Sequence, residues 1–186
     1  MIRLVIHVEE NNLSAVIEKV EKLNAKSGPF DCAILLGNLA SKLDTIDITA
    51  KLPPIFVPGS EDLSREGLVT LKNGIYKSKS GLKIGYFTGN DEKEQSKFKE
   101  PIDVLITNDC SVAIGGEHLK IPGNNVVDEV VKLSHPKYHF TYADSNNFAE
   151  LEPFVWQDDQ KVTRFINLAA YLSLIHISEP TRHAQI

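Results

Sequence analysis

The sequence predicts an α/β protein: two β-sheets in a sandwich, flanked by helices. Three observations lead there. Short, nearly continuous apolar runs recur at Ile2–His7, Cys32–Leu36, Ile55–Val57 and Ile102–Ile106, as expected of strands covered on both faces. Segments with helical spacing stand between some of them. A β-only stretch, residues 68–88, interrupts the alternation, and that combination selects two packed sheets over a single open one.

Each element follows from its residues. Ile2–His7 is the first strand, since it is apolar and lacks the small-residue cleavage site of a signal peptide. Asn12 offers an N-cap for a helix whose apolar residues Leu13, Val16, Ile17, Val20 and Leu23 alternate with Glu18, Lys19, Glu21 and Lys22. Ser27-Gly28-Pro29 ends it, and Cys32–Leu36 follows as a second strand, stopped by Gly37-Asn38. Strand, helix and strand make a right-handed βαβ unit. Residues 39–52 have weak helical character without caps. Ile55-Phe56-Val57 is a third strand, closed by Pro58-Gly59.

The texture then changes. Leu68–Leu71, Gly74–Lys77 and Leu82–Thr88 are short β runs divided by Asn-Gly and Ser-Gly turn signals, which predicts a meander or hairpin. Asp91–Glu100 reads as a polar loop, and Ile102–Ile106 as a buried strand. Val126, Val127, Val130, Val131 and Leu133 mark a helix opened by Asn124 or Asn125, with Pro136 beyond its end. Tyr138–Tyr142 and Thr163–Leu168 are expected as closing strands.

At 186 residues, 42% hydrophobic and 24% charged, the chain suits one globular core. No stretch reaches the roughly 20 apolar residues of a membrane span, so a cytoplasmic or nuclear location is expected. Cys32 and Cys110 lack zinc-site spacing and fit a reducing compartment. The net charge of −5 comes without any Lys/Arg block, which argues against direct grip on a polyanion such as RNA. Lys77, Lys79 and Lys83, around the Ser80-Gly81 turn, read as a solvated face.

In α/β sheets, functional groups gather in the loops after the strand C-termini. Here those loops read His7-Val8-Glu9-Glu10-Asn11, Gly37-Asn38-Leu39, Pro58-Gly59-Ser60-Glu61-Asp62, Thr107-Asn108-Asp109-Cys110 and Thr141-Tyr142-Ala143-Asp144-Ser145. Six short tags occur in order: Lys26-Ser27-Gly28-Pro29-Phe30-Asp31, Leu35-Leu36-Gly37-Asn38, Ser80-Gly81-Leu82-Lys83-Ile84, Ile102–Thr107, Pro136-Lys137-Tyr138-His139-Phe140 and Thr163-Arg164-Phe165-Ile166. Over residues 1–171 this pattern resembles the calcineurin-type metallophosphoesterases, above all the N-terminal domain of the CwfJ-family splicing factors, relatives of the lariat debranching enzyme. The resemblance implies a nuclear role in pre-mRNA splicing and intron-lariat turnover. Its implied partners are the debranching enzyme or spliceosomal proteins, whose debranching the domain would stimulate, with RNA reached indirectly or through further domains.

Active enzymes of that superfamily hold two metals about 3.5–4 Å apart to activate water. They use Asp-x-His, Gly-Asp, Gly-Asn-His, a lone His and Gly-His-x-His loops. This sequence departs from nearly all of them. Val8 and Glu10 stand at the Asp and His of the first loop, and Asn38 at the bridging Asp. Ser60 and Glu61 replace Asn and His, Asn108 the lone His, and Ala143 and Ser145 the last two histidines. Val8 and Ala143 cannot ligate, and the rest lack converging charge or imidazole. The expectation is therefore a domain with no catalytic residues, no metal and no cofactor, which binds and scaffolds. A rival reading is a residual metal-dependent phosphodiesterase that uses Glu10, Asn38, Glu61 and Asp109. A nucleotide-binding module is weaker, because no Gly-rich phosphate loop follows the first strand.

Other conspicuous residues have plainer readings. His7, His135 and His139 read as packing or hydrogen-bonding residues, Glu9-Glu10 as loop charges, and Glu61-Asp62 as an acidic helix start. Arg164 pairs with an acid or faces solvent; Phe154 and Trp156 read as core or rim aromatics. From Leu172 the chain runs Leu-Ser-Leu-Ile-His-Ile-Ser-Glu-Pro-Thr-Arg, which resembles the translation of a transposase sequencing adaptor. Residues 172–186 are thus expected to be foreign to a domain spanning 1–171, leaving one sheet edge open or capped by foreign sequence. Resequencing the locus across codon 171 tests this, and genomic continuity into the adaptor-like codons refutes it.

Overall fold

A computed structural model describes residues 2–8, 13–37, 39, 48, 51–59, 64–112, 122–142, 148–156, 161–169 and 174–179. The chain divides into two compact units, Met1–Thr70 with Ser173–Ile186, and Leu71–Leu172. It is mixed α/β, with two sheets and helices, as the alternation of patterns predicts.

In the first unit, β1 (Ile2–Val8), α1 (Leu13–Ser27), β2 (Cys32–Leu36) and β3 (Ile55–Pro58) follow in order. β1 pairs in parallel with β2, and β2 with β3. The apolar stripe of α1, carried by Leu13, Val16 and Val20, packs on Phe30, Ala33, Leu35, Ile55 and Val57. Asn24 anchors the helix end: its Nδ2 donates to the Lys51 carbonyl at 2.8 Å, and its Oδ1 accepts from the Phe30 N–H at 2.9 Å. β4 (Leu68–Leu71) completes one side of this sheet. β12 (Leu174–Glu179), inside the stretch read as foreign, lies antiparallel on the other side of β1. Most of residues 39–52, with its weak helical reading, lies outside the described residues.

The second unit holds β5 (Gly74–Lys77), β6 (Lys83–Phe87), a 3-10 helix (Glu92–Phe98), β7 (Val104–Thr107), α2 (Asn125–Ser134), β8 (Tyr138–Thr141), β9 (Ala149–Glu150), β10 (Phe154–Val155) and β11 (Val162–Asn167). Its sheet runs β10-β11-β8-β7-β6-β5, with β9 also on β11. β6, β7, β8 and β11 are parallel; β5 and β10 run antiparallel to their neighbours. Phe87, Leu105 and Phe165 form a core with Val127, Val130 and Val131 of α2 and Phe98 of the 3-10 helix. Gly85 permits that approach, because a Cβ there would sit 2.7 Å from the Ile102 side chain and 3.2 Å from the Phe98 ring.

Of the meander or hairpin expected in the middle of the chain, the hairpin is found between β5 and β6, while β4 belongs to the first sheet. Between β4 and β5, the Asn73 Oδ1 accepts from the Thr88 N–H at 2.8 Å, just past the end of β6. The polar stretch Asp91–Glu100 is not a loop throughout. It contains the 3-10 helix, N-capped by Asp91 and anchored by buried Phe98, a single apolar residue too isolated to show a period.

Candidate functional site

The C-terminal ends of four parallel strands meet in the second unit, where an α/β sheet places its chemistry. Strand alternation sorts the residues there. Thr107, His139, Thr141 and Asn167 fall on the face carrying Leu105 and Phe165, and all four are buried. Tyr86, Asn108 and Tyr142 fall on the opposite face.

Those last three form a closed hydrogen-bonded group. The Tyr86 and Tyr142 hydroxyls both donate to Asn108 Oδ1, at 3.0 and 2.7 Å. Burial raises both phenols above their ordinary range, more strongly for Tyr142, whose neighbour Tyr86 adds to the effect. Both therefore stay protonated and remain donors at any working pH. Of the residues at degenerate ligand positions, Asn108 is the one whose surroundings are described, and its carboxamide oxygen is occupied twice over. Val8 ends β1, paired in register with Leu36. Glu10, Asn38, Ser60, Glu61, Ala143 and Ser145 lie outside the described residues.

Asp109, a substitute ligand in the rival reading, is also engaged. Its Oδ2 accepts from Asn124 Nδ2 at 2.7 Å, and the same Nδ2 reaches the Gly89 carbonyl at 3.0 Å. Gly89 sits at φ +91°, and a Cβ there would meet Asp109 Oδ2 at 2.7 Å, so only glycine suits both conformation and space. Asn124 Oδ1 meanwhile accepts from the Val126 N–H at 2.9 Å as the N-cap of α2. One asparagine thus joins the loops after β6 and β7 to the helix start. Beneath it, the Ser111 hydroxyl donates to buried Asp128.

His139 is fully buried, and burial pushes it down to about 3, so its ring is neutral. Thr107 Oγ1 donates to the Asp109 carbonyl at 2.7 Å and lies 2.8 Å from His139 Nε2. With the threonine proton spent, Nε2 must be the donor, which leaves Nδ1 an unprotonated acceptor with no partner among the described residues. The plain reading of His139 as a hydrogen-bonded core residue agrees with this. Burial, before the charges of Asp128 and Asp109, pushes the Cys110 thiol up to about 12; burial, then Asp31, does the same for Cys32. Neither is a thiolate nucleophile or ready ligand. Among the described residues, no three His, Cys, Asp or Glu side chains cluster at metal-binding spacing.

Sequence reasoning found Asn108 and Asp109 but missed their partners. Tyr142 was in view as a loop residue, and its role was visible in principle, since it sits one residue past β8 as Asn108 sits one past β7. Asn124 was legible as a candidate helix cap but not as a partner of Asp109, and Tyr86 carried no comparable signal.

No protein family profile matches the chain. The chain is similar to CWF19-like protein DRN1 of Saccharomyces cerevisiae, with 31% identity over 186 aligned positions. The alignment covers 90% of this chain and 36% of that protein, so the chain corresponds to about a third of its relative's length. One solved crystal structure superposes with a TM-score of 0.52 over 87% of this chain and 89% of that one, at 11% identity. At that identity the likeness speaks to the fold alone.

Proposed function

We propose, from the homology to a CWF19-like protein, that this chain is the metallophosphoesterase-like part of a nuclear CwfJ-family factor in pre-mRNA splicing and intron-lariat turnover. It binds and scaffolds, and does not hydrolyse phosphate esters. Its partners are the lariat debranching enzyme or spliceosomal proteins, and the domain assists debranching by holding them. RNA is reached through those partners or through other parts of a longer protein.

The observation that carries the non-catalytic half is the state of Asn108. A ligand at that position must aim a lone pair at a cation. Here the carboxamide oxygen accepts two phenolic hydrogen bonds from Tyr86 and Tyr142, and neither phenol ionises readily to become a ligand itself. Asp109, offered as a substitute, bonds to the loop framework through Asn124. Val8 and Ala143 bring no donor atom at all. Such a donor set does not fit a pair of divalent cations, which requires several converging charged or imidazole groups.

The test is association of the purified chain with purified lariat debranching enzyme, followed by light scattering. The reading expects a complex, and faster debranching of a branched RNA when the chain is present. Absence of both would remove it.

A further inference from the structure

The connection from β4 to β5 carries the one Asn-Gly pair in the chain, Asn73-Gly74. A glycine after asparagine leaves the peptide nitrogen without an obstructing side chain. That nitrogen can then reach the asparagine carboxamide carbon and close a ring. Space for this is open at Gly74, where a Cβ would meet nothing within 4 Å. Asn73 is half-buried, and Gly74 is the first residue of β5, the outermost strand on its side of the sheet. Gly74 pairs with Tyr86. A strand end at a sheet edge opens locally at low cost, which frees the nitrogen.

Two hydrogen bonds act on the two groups that must react. The Thr88 N–H donates to Asn73 Oδ1 at 2.8 Å. Negative charge gathers on that oxygen when the carboxamide carbon is attacked, and a fixed backbone donor stabilises it. The Lys97 ammonium donates to the Asn73 main-chain carbonyl at 3.3 Å. This carbonyl shares its peptide group with the Gly74 nitrogen. A cation there favours loss of the N–H proton, because the resulting anion is spread over nitrogen and oxygen. Lys97 is exposed and also pairs with Glu94, so its pull is that of a solvated charge.

We propose that Asn73 is a site of spontaneous deamidation, assisted by Thr88 and Lys97. Hydroxide takes the Gly74 N–H proton, and the nitrogen electron pair forms a bond to Asn73 Cγ. The bond from Cγ to Nδ2 then breaks, and Nδ2 leaves as ammonia with a proton from water. Water adds to either carbonyl of the resulting succinimide and opens it. The product is aspartate or isoaspartate at position 73. Aspartate keeps an acceptor for the Thr88 N–H and sets a new charge near Lys97. Isoaspartate lengthens the main chain by one carbon between β4 and β5. The site is independent of the scaffold reading.

The purified chain is incubated at pH 7 and pH 9, and its peptides are mapped by mass spectrometry with isoaspartate detection. Conversion at Asn73 should exceed that at every other asparagine and should rise with pH. Lys97→Met should slow it about threefold in the folded chain, whereas Lys97→Arg, which keeps the cation, should not. In urea both variants should convert at the wild-type rate, since the Lys97 contact exists only in the fold. Circular dichroism confirms that both variants are folded beforehand. If Asn73 stays intact in the folded chain while it converts in urea, the fold protects the bond and the proposal falls. It falls equally if folded Lys97→Met matches wild type, or if Lys97→Arg is as slow as Lys97→Met.

Discussion

His139 shows what burial does to one side chain at the heart of the second sheet. The unfolded chain takes up a proton near 6.5, whereas the buried ring resists until about 3. Between those values the unfolded state binds a proton that the folded state refuses. Stability is therefore complete above about 6.5 and declines as the pH falls through that window, by roughly 1.4 kcal/mol per unit from this group. Urea unfolding between pH 7 and pH 5 should show the decline, and His139→Gln, whose amide can still donate to Thr107, should flatten it. An unchanged slope in the variant would place the acid sensitivity elsewhere. At this scale the sequence revealed which residues are chemically absent, Val8 and Ala143, because a missing donor needs no geometry to recognise. It did not reveal who occupies Asn108, since a hydrogen bond between Tyr86 and a residue 22 positions away depends on strand register.

Asn124 acts on elements rather than on a single neighbour. Its side chain caps α2 and also ties the Gly89 and Asp109 loops. Asn124→Ala removes the cap and leaves the Gly89 carbonyl and the Asp109 carboxylate short of a donor, so a loss of about 2 kcal/mol is expected, more than a cap alone. Thermal unfolding measures it. Asn124→Asp, which restores the cap but sets a second carboxylate beside Asp109, should recover less than half. Full recovery would show that only the cap matters. Both described α-helices were legible from their period, and α2 also from its cap: α1 runs Leu13–Ser27, its expected cap Asn12 lying outside the described residues, and α2 runs Asn125–Ser134 behind its expected Asn. The 3-10 helix was not, because it rests on one buried apolar residue, Phe98, and not on a repeating pattern.

Over the whole molecule, an α/β chain with two sheets followed from alternating apolar runs and helical stripes, which are local and additive signals. The parallel order of β6, β7, β8 and β11 follows from crossover connections and could be anticipated once strands and helices alternate. Which faces carry polar residues at the C-terminal ends could be anticipated less well, since a one-residue shift exchanges Thr107 for Asn108. On the proposed reading, hydrogen bonds among side chains occupy these strand ends in place of cation ligation. Calorimetric titration of the purified chain with manganese tests it most directly. No binding tighter than the millimolar range is predicted. Uptake of two equivalents at micromolar concentration, lost in Asn38→Ala, would contradict it.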